Sequence, residues 1–236
     1  MKKIAFDKYA SDYDKWFLKN ENLLSSEAAL LAHFLAEPGR ALSVGCGSGL
    51  FEAILKDEFD IVISEGIEPA AGMAALAEER GMRVQVATAE SADFGDAYFD
   101  TIVFNGSPSY IAGLDAAFAK AWAALKAGGR IVVLDVPKES SYAILYNLVK
   151  ETGSWEHPHF EGAMPPNPYP ASFVSESNWR TTEEKISLLK DCGFSGFSYA
   201  QTLTKHPVFS DVEVEMPVPG YDRGDYVAIC AFKEAE

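Results

Sequence analysis

Cysteine is scarce in this chain, with three residues in 236, at Cys46, Cys192 and Cys230. They are far apart and odd in number, and no C-x-x-C pair or His-containing zinc spacing occurs. A disulfide framework and a structural zinc site are therefore excluded as organising devices, and a reduced chain located in the cytoplasm is expected. Long apolar runs are missing as well. None approaches the ~20 residues that span a bilayer, so no membrane association through a helix is expected. The opening "MKKIAFDKYASDYDKWF" has two lysines but no apolar core followed by a small-residue cleavage site, and it is read as carrying no signal peptide. Positive charge is also in short supply. Lysine and arginine total 20 against 35 aspartates and glutamates, a net charge of −15. A nucleic-acid binder normally shows a basic stripe. The lysines here are scattered, so nucleic acid is not an expected partner. Internal repeats are absent too.

The chain is long enough for one large domain that buries roughly 70% of the unfolded surface. Apolar content of 48% and charged content of 23% are those of a globular protein rather than a disordered one. Residues 7–36 read as helical. In "SSEAALLAHFLAEPG", Leu30, Leu31, Phe34 and Leu35 share one face, Ser25 or Ser26 serves as the cap, and Pro38-Gly39 stops the helix. Elements then alternate in type. "ALSV", "DIVISEGI", "MRVQVAT", "FDTIVFN" and "RIVVLDV" read as strands. Leu50–Lys56, "AAGMAALAEERG" and "LDAAFAKAWAALKAGG" read as helices, the last ending at Gly128-Gly129. The strands are apolar nearly throughout, as strands buried on both faces of a parallel sheet are. This alternation predicts a doubly wound α/β sheet with right-handed crossovers.

The pattern changes after "SSYAILYNLVK", a further helix. Residues 151–180 carry five prolines and many aromatics with no period, and read as an ordered insertion that covers something. Thr181 and Glu184 form a capping-box pair, and Gly193 marks the end of the last helix. The closing segment reads as two strands, antiparallel because they are too close for a crossover.

Chemistry concentrates at "RALSVGCGSGLFEAIL", residues 40–55. Gly45, Gly47 and Gly49 fall at every second position where a strand gives way to a helix. In an open α/β sheet, ligands bind at such a turn, where the backbone must bend tightly and the helix presents free N–H groups. The dinucleotide fingerprint G-x-G-x-x-G would place its third glycine at residue 50, which is Leu50. The spacing alone leaves a dinucleotide, a phosphate or an amino-acid group open. Glu68, in "GIEPAAGM" at the end of the second strand, suits ribose hydroxyls. The polar turn at Ala89 and Glu90 could frame an adenine ring.

Taken together, "LSVGCGSG", "GIEPAAGM", "ATAESADF", "YFDTIVFN", "LKAGGRIVVLD" and "LLKDCGF" resemble, in order, the class I S-adenosylmethionine-dependent methyltransferases. The likeness is to the small-molecule branch of the ubiquinone/menaquinone C-methyltransferases. It covers residues ~40–136 well and the C-terminal ~55 residues loosely. It implies a Rossmann-like, mostly parallel seven-stranded sheet with an antiparallel last strand, an N-terminal helical cap (1–39), a cofactor-binding core (40–136), a substrate-covering insertion (137–180) and a C-terminal helix with a β-hairpin (181–236), all in one domain 1–236. The implied cofactor is S-adenosylmethionine, with S-adenosylhomocysteine as product. Gly45, Cys46, Gly47 and Gly49 would lie against its methionine part, and Glu68 would hold the ribose with Pro69 and Met73 nearby. Ala89 and Glu90 would flank the adenine, Asn105 would lie near the sulfonium, and Tyr13 would close the site. One position departs from the pattern: Ser43 stands two residues before the first glycine, where the family usually has an acid that meets the cofactor's amino group.

Methyl transfer from a sulfonium needs alignment and exclusion of water more than it needs a reactive side chain. The expected acceptor is a small molecule walled by Ser107, Tyr110, Tyr142, Tyr146, Trp155, Phe160, Tyr169 and Trp179. His157 and His159 are the candidate bases. No metal site is expected. "FNGSPSY" lacks the adjacent prolines of the N-P-P-Y loop that methylates nucleic-acid or protein amides. The alternatives are an NAD(P)-type oxidoreductase and a non-catalytic S-adenosylmethionine binder. The sequence is silent on oligomeric state.

Overall fold

A computed structural model describes residues 10–235. Residues 7–9 of the expected first helix, and most of the opening stretch, lie outside it. Two helices come first, α1 (Ala10–Lys19) and α2 (Glu21–His33). Then follow β1 (Ala41–Val44), α3 (Leu50–Phe59), β2 (Glu65–Ile67), α4 (Ala71–Glu79), β3 (Arg83–Gln85), β4 (Phe99–Asn105), α5 (Leu114–Ala124) and β5 (Leu125–Asp135). The last part holds α6 (Ser141–Thr152), α7 (Ala171–Val174), α8 (Thr182–Asp191), β6 (Ser195–Thr202), β7 (Val218–Pro219) and β8 (Tyr226–Phe232).

The strands form one sheet of eight in the order β3-β2-β1-β4-β5-β8-β6-β7. β3, β2, β1, β4 and β5 are parallel, with Leu42 opposite Glu65 on one side and Ile102 on the other. β8 runs antiparallel to both β5 and β6. The order reverses beside β1, so its carboxyl end is the switch point where such sheets bind ligands. The mostly parallel sheet with an antiparallel last strand agrees with the expectation. It has eight strands instead of seven because the two-residue β7 adds to the β6 edge, Ala200 opposite Pro219.

Both faces of the sheet are covered, which is why its strands read as continuous apolar runs. Along β5, Val132 and Leu134 point into a core shared with α2, α3, α6 and α7. Ile131 and Val133 point into the core under α5 and α8. The 151–180 segment belongs to the first of these cores. Phe160, Tyr169, Phe173, Val174 and Trp179 are all buried there. Its backbone is tied down as well: Trp155 Nε1 donates to the Tyr169 carbonyl at 2.7 Å and Trp16 Nε1 to the Asn167 carbonyl at 3.0 Å.

Three boundaries differ from the sequence reading. α2 starts at Glu21, so Ser25 and Ser26 lie inside it rather than capping it. Ser26 Oγ donates to the Asn22 carbonyl at 2.6 Å and accepts the Glu215 N–H at 2.8 Å, stitching the helix to a distant loop. α5 stops at Ala124, because Leu125 turns extended and enters β5 opposite Phe99. Gly129 is then needed for close strand contact, since a Cβ there would sit 3.1 Å from the Asp100 carbonyl. β2 and β3 are only three residues each, short edge pieces of the longer apolar runs. The Thr181–Glu184 capping box is present with both of its hydrogen bonds.

Candidate active site

The three glycines of the β1–α3 turn all adopt the left-handed region, with φ of 73° at Gly45, 56° at Gly47 and 72° at Gly49. L side chains rarely sit there. Crowding adds a second reason at Gly45, where a Cβ would lie 2.4 Å from Ser107 Cβ. The amides of Gly45 and Cys46 both donate to the Ile67 carbonyl, which pins the turn to the end of β2. Gly49 is packed instead against α4: a Cβ would meet Met82 Sδ at 3.0 Å and Ala77 at 3.2 Å. The turn is thus a cradle open on the Gly45–Gly47 side.

Glu68 reaches that cradle from the end of β2. One carboxylate oxygen accepts the Gly47 N–H at 2.9 Å and the other the Ala70 N–H at 2.8 Å. A carboxylate in this place is the acceptor that a hydroxyl donor would meet. Beyond it, Glu90 accepts the Gly113 N–H, and Lys120 Nζ donates to the carbonyls of Ala89, Glu90 and Ala92. The turn that would flank a planar ring is therefore held from two sides.

α1 forms the cover. Asp14 accepts Ser48 Oγ at 2.5 Å and Arg80 at 2.7 Å, while Arg80 also donates to the Ser48 carbonyl at 2.6 Å. This latch ties the helix to the glycine turn and brings Tyr13 and Trp16 over the opening. Ser43 is buried below the turn, and its side chain hydrogen-bonds Glu52 in the first turn of α3. A carboxyl group is thus present near the departed acidic position. Burial pushes its pKa up, against the Ser43 hydroxyl and Arg80.

A cavity of about 380 Å³ opens between the sheet edge, α1, α2 and the 151–180 segment. Gly45, Gly47, Glu68, Pro69, Met73, Ala89, Glu90, Asn105 and Tyr13 line it, as expected for a cofactor half. Ser107, Tyr110, Tyr146, Tyr169 and Trp179 line the rest. The two halves meet at Asn105, whose Oδ1 accepts the Tyr226 hydroxyl at 2.8 Å.

Several expected residues lie elsewhere. Ser43, Cys46 and Gly49 stand behind the turn; Cys46 packs on Gly66, where a Cβ would be 2.6 Å from its Sγ, and burial pushes its thiol pKa up. Tyr142, Trp155 and Phe160 stand behind the wall, Tyr142 bonded to Ser210 and Phe160 packed on Trp155. His157 and His159 are not cavity residues: His157 Nδ1 accepts the His159 N–H at the start of the Pro158–Phe160 turn, which is a local cap. No group of three or more His, Cys, Asp or Glu that could hold a metal occurs among the described residues. No helix among them is long and apolar enough to cross a membrane.

The sequence reading missed other lining residues, chiefly Glu27, Phe51, Asp135 and Tyr226. Asp135 ends β5 at the same sheet edge as Asn105. It is paired there with the fully buried Lys185 at 3.2 Å and accepts Ser109 Oγ at 2.8 Å. A charge closing an apolar strand at the ligand edge is a readable signal. Glu27, inside a helix, offers none.

Known proteins identify the family. The methyltransferase-domain family model matches residues 17–181. A crystal structure from Thermotoga maritima, described as a SAM-dependent methyltransferase and possible histamine N-methyltransferase, is 30% identical with a TM-score of 0.82. It covers 98% of this chain, and this chain covers 99% of it. An uncharacterised protein of Methanocaldococcus jannaschii is 31% identical over 97% of this chain and 98% of its own. The malonyl-[acyl-carrier protein] O-methyltransferase of Geobacter sulfurreducens is 32% identical over 50% of this chain and 46% of its own. These likenesses displace the oxidoreductase alternative. The chain belongs to the class I S-adenosylmethionine-dependent methyltransferases, and S-adenosylmethionine is its cofactor.

Proposed function

We propose that this protein transfers a methyl group from S-adenosylmethionine to a small-molecule acceptor inside this cavity. The observation that carries the reading is the continuity of that cavity. The glycine cradle, Glu68 and the Ala89–Glu90 turn form one half, an aromatic chamber forms the other, and they meet at Asn105. In this reading Gly45 and Gly47 hold the methionine portion, Glu68 the ribose, and Ala89 with Glu90 the adenine. When bound, the cofactor supplies an electrophilic methyl on a positively charged sulfur. The protein aligns the acceptor with it and keeps water out, through Tyr13 and Trp16 above and Tyr110, Tyr146, Tyr169 and Trp179 around.

A polymeric acceptor is disfavoured, because α1 and the 151–180 segment cover the chamber and its lining holds no lysine, arginine or histidine among the described residues. The Thermotoga maritima relative, described as a possible histamine N-methyltransferase, places amines among the acceptors to try first. Three unpaired cysteines fit a cytoplasmic enzyme. The test is incubation with methyl-tritiated S-adenosylmethionine and fractionated cell extract. Label entering the low-molecular-weight fraction is expected. Label entering only RNA, DNA or protein would overturn the reading.

A further inference from the structure

Among the described residues the cavity lining carries five carboxyl groups: Glu27, Glu68, Glu90, Asp135 and Glu176. Four have evident employment. Glu68 and Glu90 accept backbone amides at the cofactor half. Asp135 is neutralised by Lys185 and bonded to Ser109. Glu176 is exposed at the rim. Glu27 is different. It is 7% exposed, sits among the buried residues of α2, and has no hydrogen bond or ion pair with the described residues. Tyr13, Tyr142, Tyr146 and Tyr226 are close enough to feel its charge. Three of these, Tyr13, Tyr146 and Tyr226, line the cavity together with Tyr110, Tyr169 and Trp179.

A buried carboxyl without a partner is costly, so a helix whose neighbouring positions are leucine, alanine and serine gains nothing in stability by keeping one. An unpaired carboxyl inside a box of aromatic faces is the environment in which an organic ammonium ion is bound. The rings offer their negative faces and the carboxylate supplies the counter-charge. An anionic acceptor would meet no cation in the lining among the described residues, and a neutral one would offer a Glu27 carboxylate no counter-charge.

We infer that the acceptor is a primary or secondary amine, and that Glu27 binds its ammonium group and takes the proton that must leave before nitrogen can be methylated. The inference rests on the methyltransferase reading of the same cavity. The empty Glu27 carboxyl holds a proton near neutral pH and gives it to water as the amine docks in its ammonium form, with an N–H donating to a Glu27 oxygen. One proton passes from nitrogen to that oxygen and frees the nitrogen lone pair. The lone pair attacks the methyl carbon; the N–C bond forms as the C–S bond breaks, and the bonding pair returns to sulfur. The product leaves as a methylammonium ion, and Glu27 keeps the proton it took, which restores the empty site. One proton is released per turnover. Burial holds the empty Glu27 carboxyl up at about 8, which suits a group that must take a proton from an amine near neutral pH.

The test uses the whole protein, Glu27→Gln and Glu27→Asp, with folding checked by thermal unfolding. Primary and secondary arylalkylamines, beginning with 2-phenylethylamine, are compared with alcohols and carboxylic acids of the same skeletons. Two readouts are taken: titration of each compound into protein saturated with S-adenosylhomocysteine, and label transfer from S-adenosylmethionine. Binding and transfer confined to amines are expected. Glu27→Gln should lower amine kcat/KM by roughly tenfold to a hundredfold or more, the scale of one charged hydrogen bond. It should leave S-adenosylhomocysteine affinity within about twofold, and Glu27→Asp should restore part of the loss. Transfer to alcohols or carbon acids, or amine binding unchanged in Glu27→Gln, overturns the inference. So does S-adenosylhomocysteine binding with no amine bound or methylated, which leaves the proposed function standing. Failure to bind S-adenosylhomocysteine at all strikes the proposed function itself.

Discussion

Glu27→Gln offers a test that needs no ligand. The Glu27 carboxyl is raised from 4.5 to about 8 by burial alone. The folded state therefore holds a proton that the unfolded chain gives up near pH 4.5, and folding becomes less favourable as pH rises through that range. The penalty is absent below pH 4.5, grows between 4.5 and 8, and is complete above 8. The distance from 4.5 to about 8 corresponds to about 5 kcal/mol at full extent. Between pH 5 and pH 8 the loss is about 3 to 4 kcal/mol. Glutamine has nearly the same shape and no such titration. The facing groups, Tyr13, Tyr142, Tyr146 and Tyr226, all have pKa values pushed above 10 and stay neutral throughout. Asp225, raised to about 6, is common to both proteins and cancels in the comparison. Urea unfolding of parent and Glu27→Gln without ligand is the assay. The variant should gain about 3 to 4 kcal/mol on the parent between pH 5 and pH 8. Parallel stability curves would show that Glu27 is solvated or paired, and would remove the basis for its role.

Four further outcomes follow from the same geometry. Glu68→Ala should abolish measurable S-adenosylmethionine binding and also cost about 2 to 4 kcal/mol of stability, because the Gly47 and Ala70 amides lose their acceptor; calorimetry and thermal unfolding check both. Gly45→Ala should destabilise by about 2 to 4 kcal/mol, from a positive φ and a Cβ 2.4 Å from Ser107 Cβ, read by urea unfolding. A double-mutant cycle on Asp14 and Arg80 should give a coupling of about 1 to 2 kcal/mol, and either single change should weaken cofactor binding and speed proteolysis within α1. Residues 151–180 should resist protease with and without cofactor, since Phe160, Phe173 and Trp179 are part of the main core; cutting there at the rate of an exposed loop would contradict that packing.

The cofactor half was the legible half, for a physical reason. That side of the cavity is lined by backbone and strand ends, so the demands fall on residue types that announce themselves: glycines with positive φ, an acid closing β2, a polar turn after β3. The sheet was legible because burial on both faces leaves runs such as "IVVL", residues 131–134, with no polar member. Helix limits were less so. Ser26 is a good cap by type, but its hydroxyl is used across the fold by Glu215. The acceptor chamber was half legible. Aromatic content marked the 151–180 segment, but which rings face inward depends on packing among Tyr146, Trp155, Tyr169 and Trp179. His157 and His159 drew notice as titratable groups, yet a proline between them turns them into a local cap. Glu27 gave no signal, because a glutamate in a helix is ordinary until the neighbours that bury it are known.

The most direct test of the central claim is calorimetric titration of the folded, ligand-free protein with S-adenosylmethionine, S-adenosylhomocysteine and NAD, repeated with Glu68→Ala. The account predicts binding of the first two by the parent, none of NAD, and loss of both in the variant. Binding of NAD, or equal binding of S-adenosylmethionine by parent and Glu68→Ala, would contradict the assignment of the glycine cradle and Glu68 as the cofactor site.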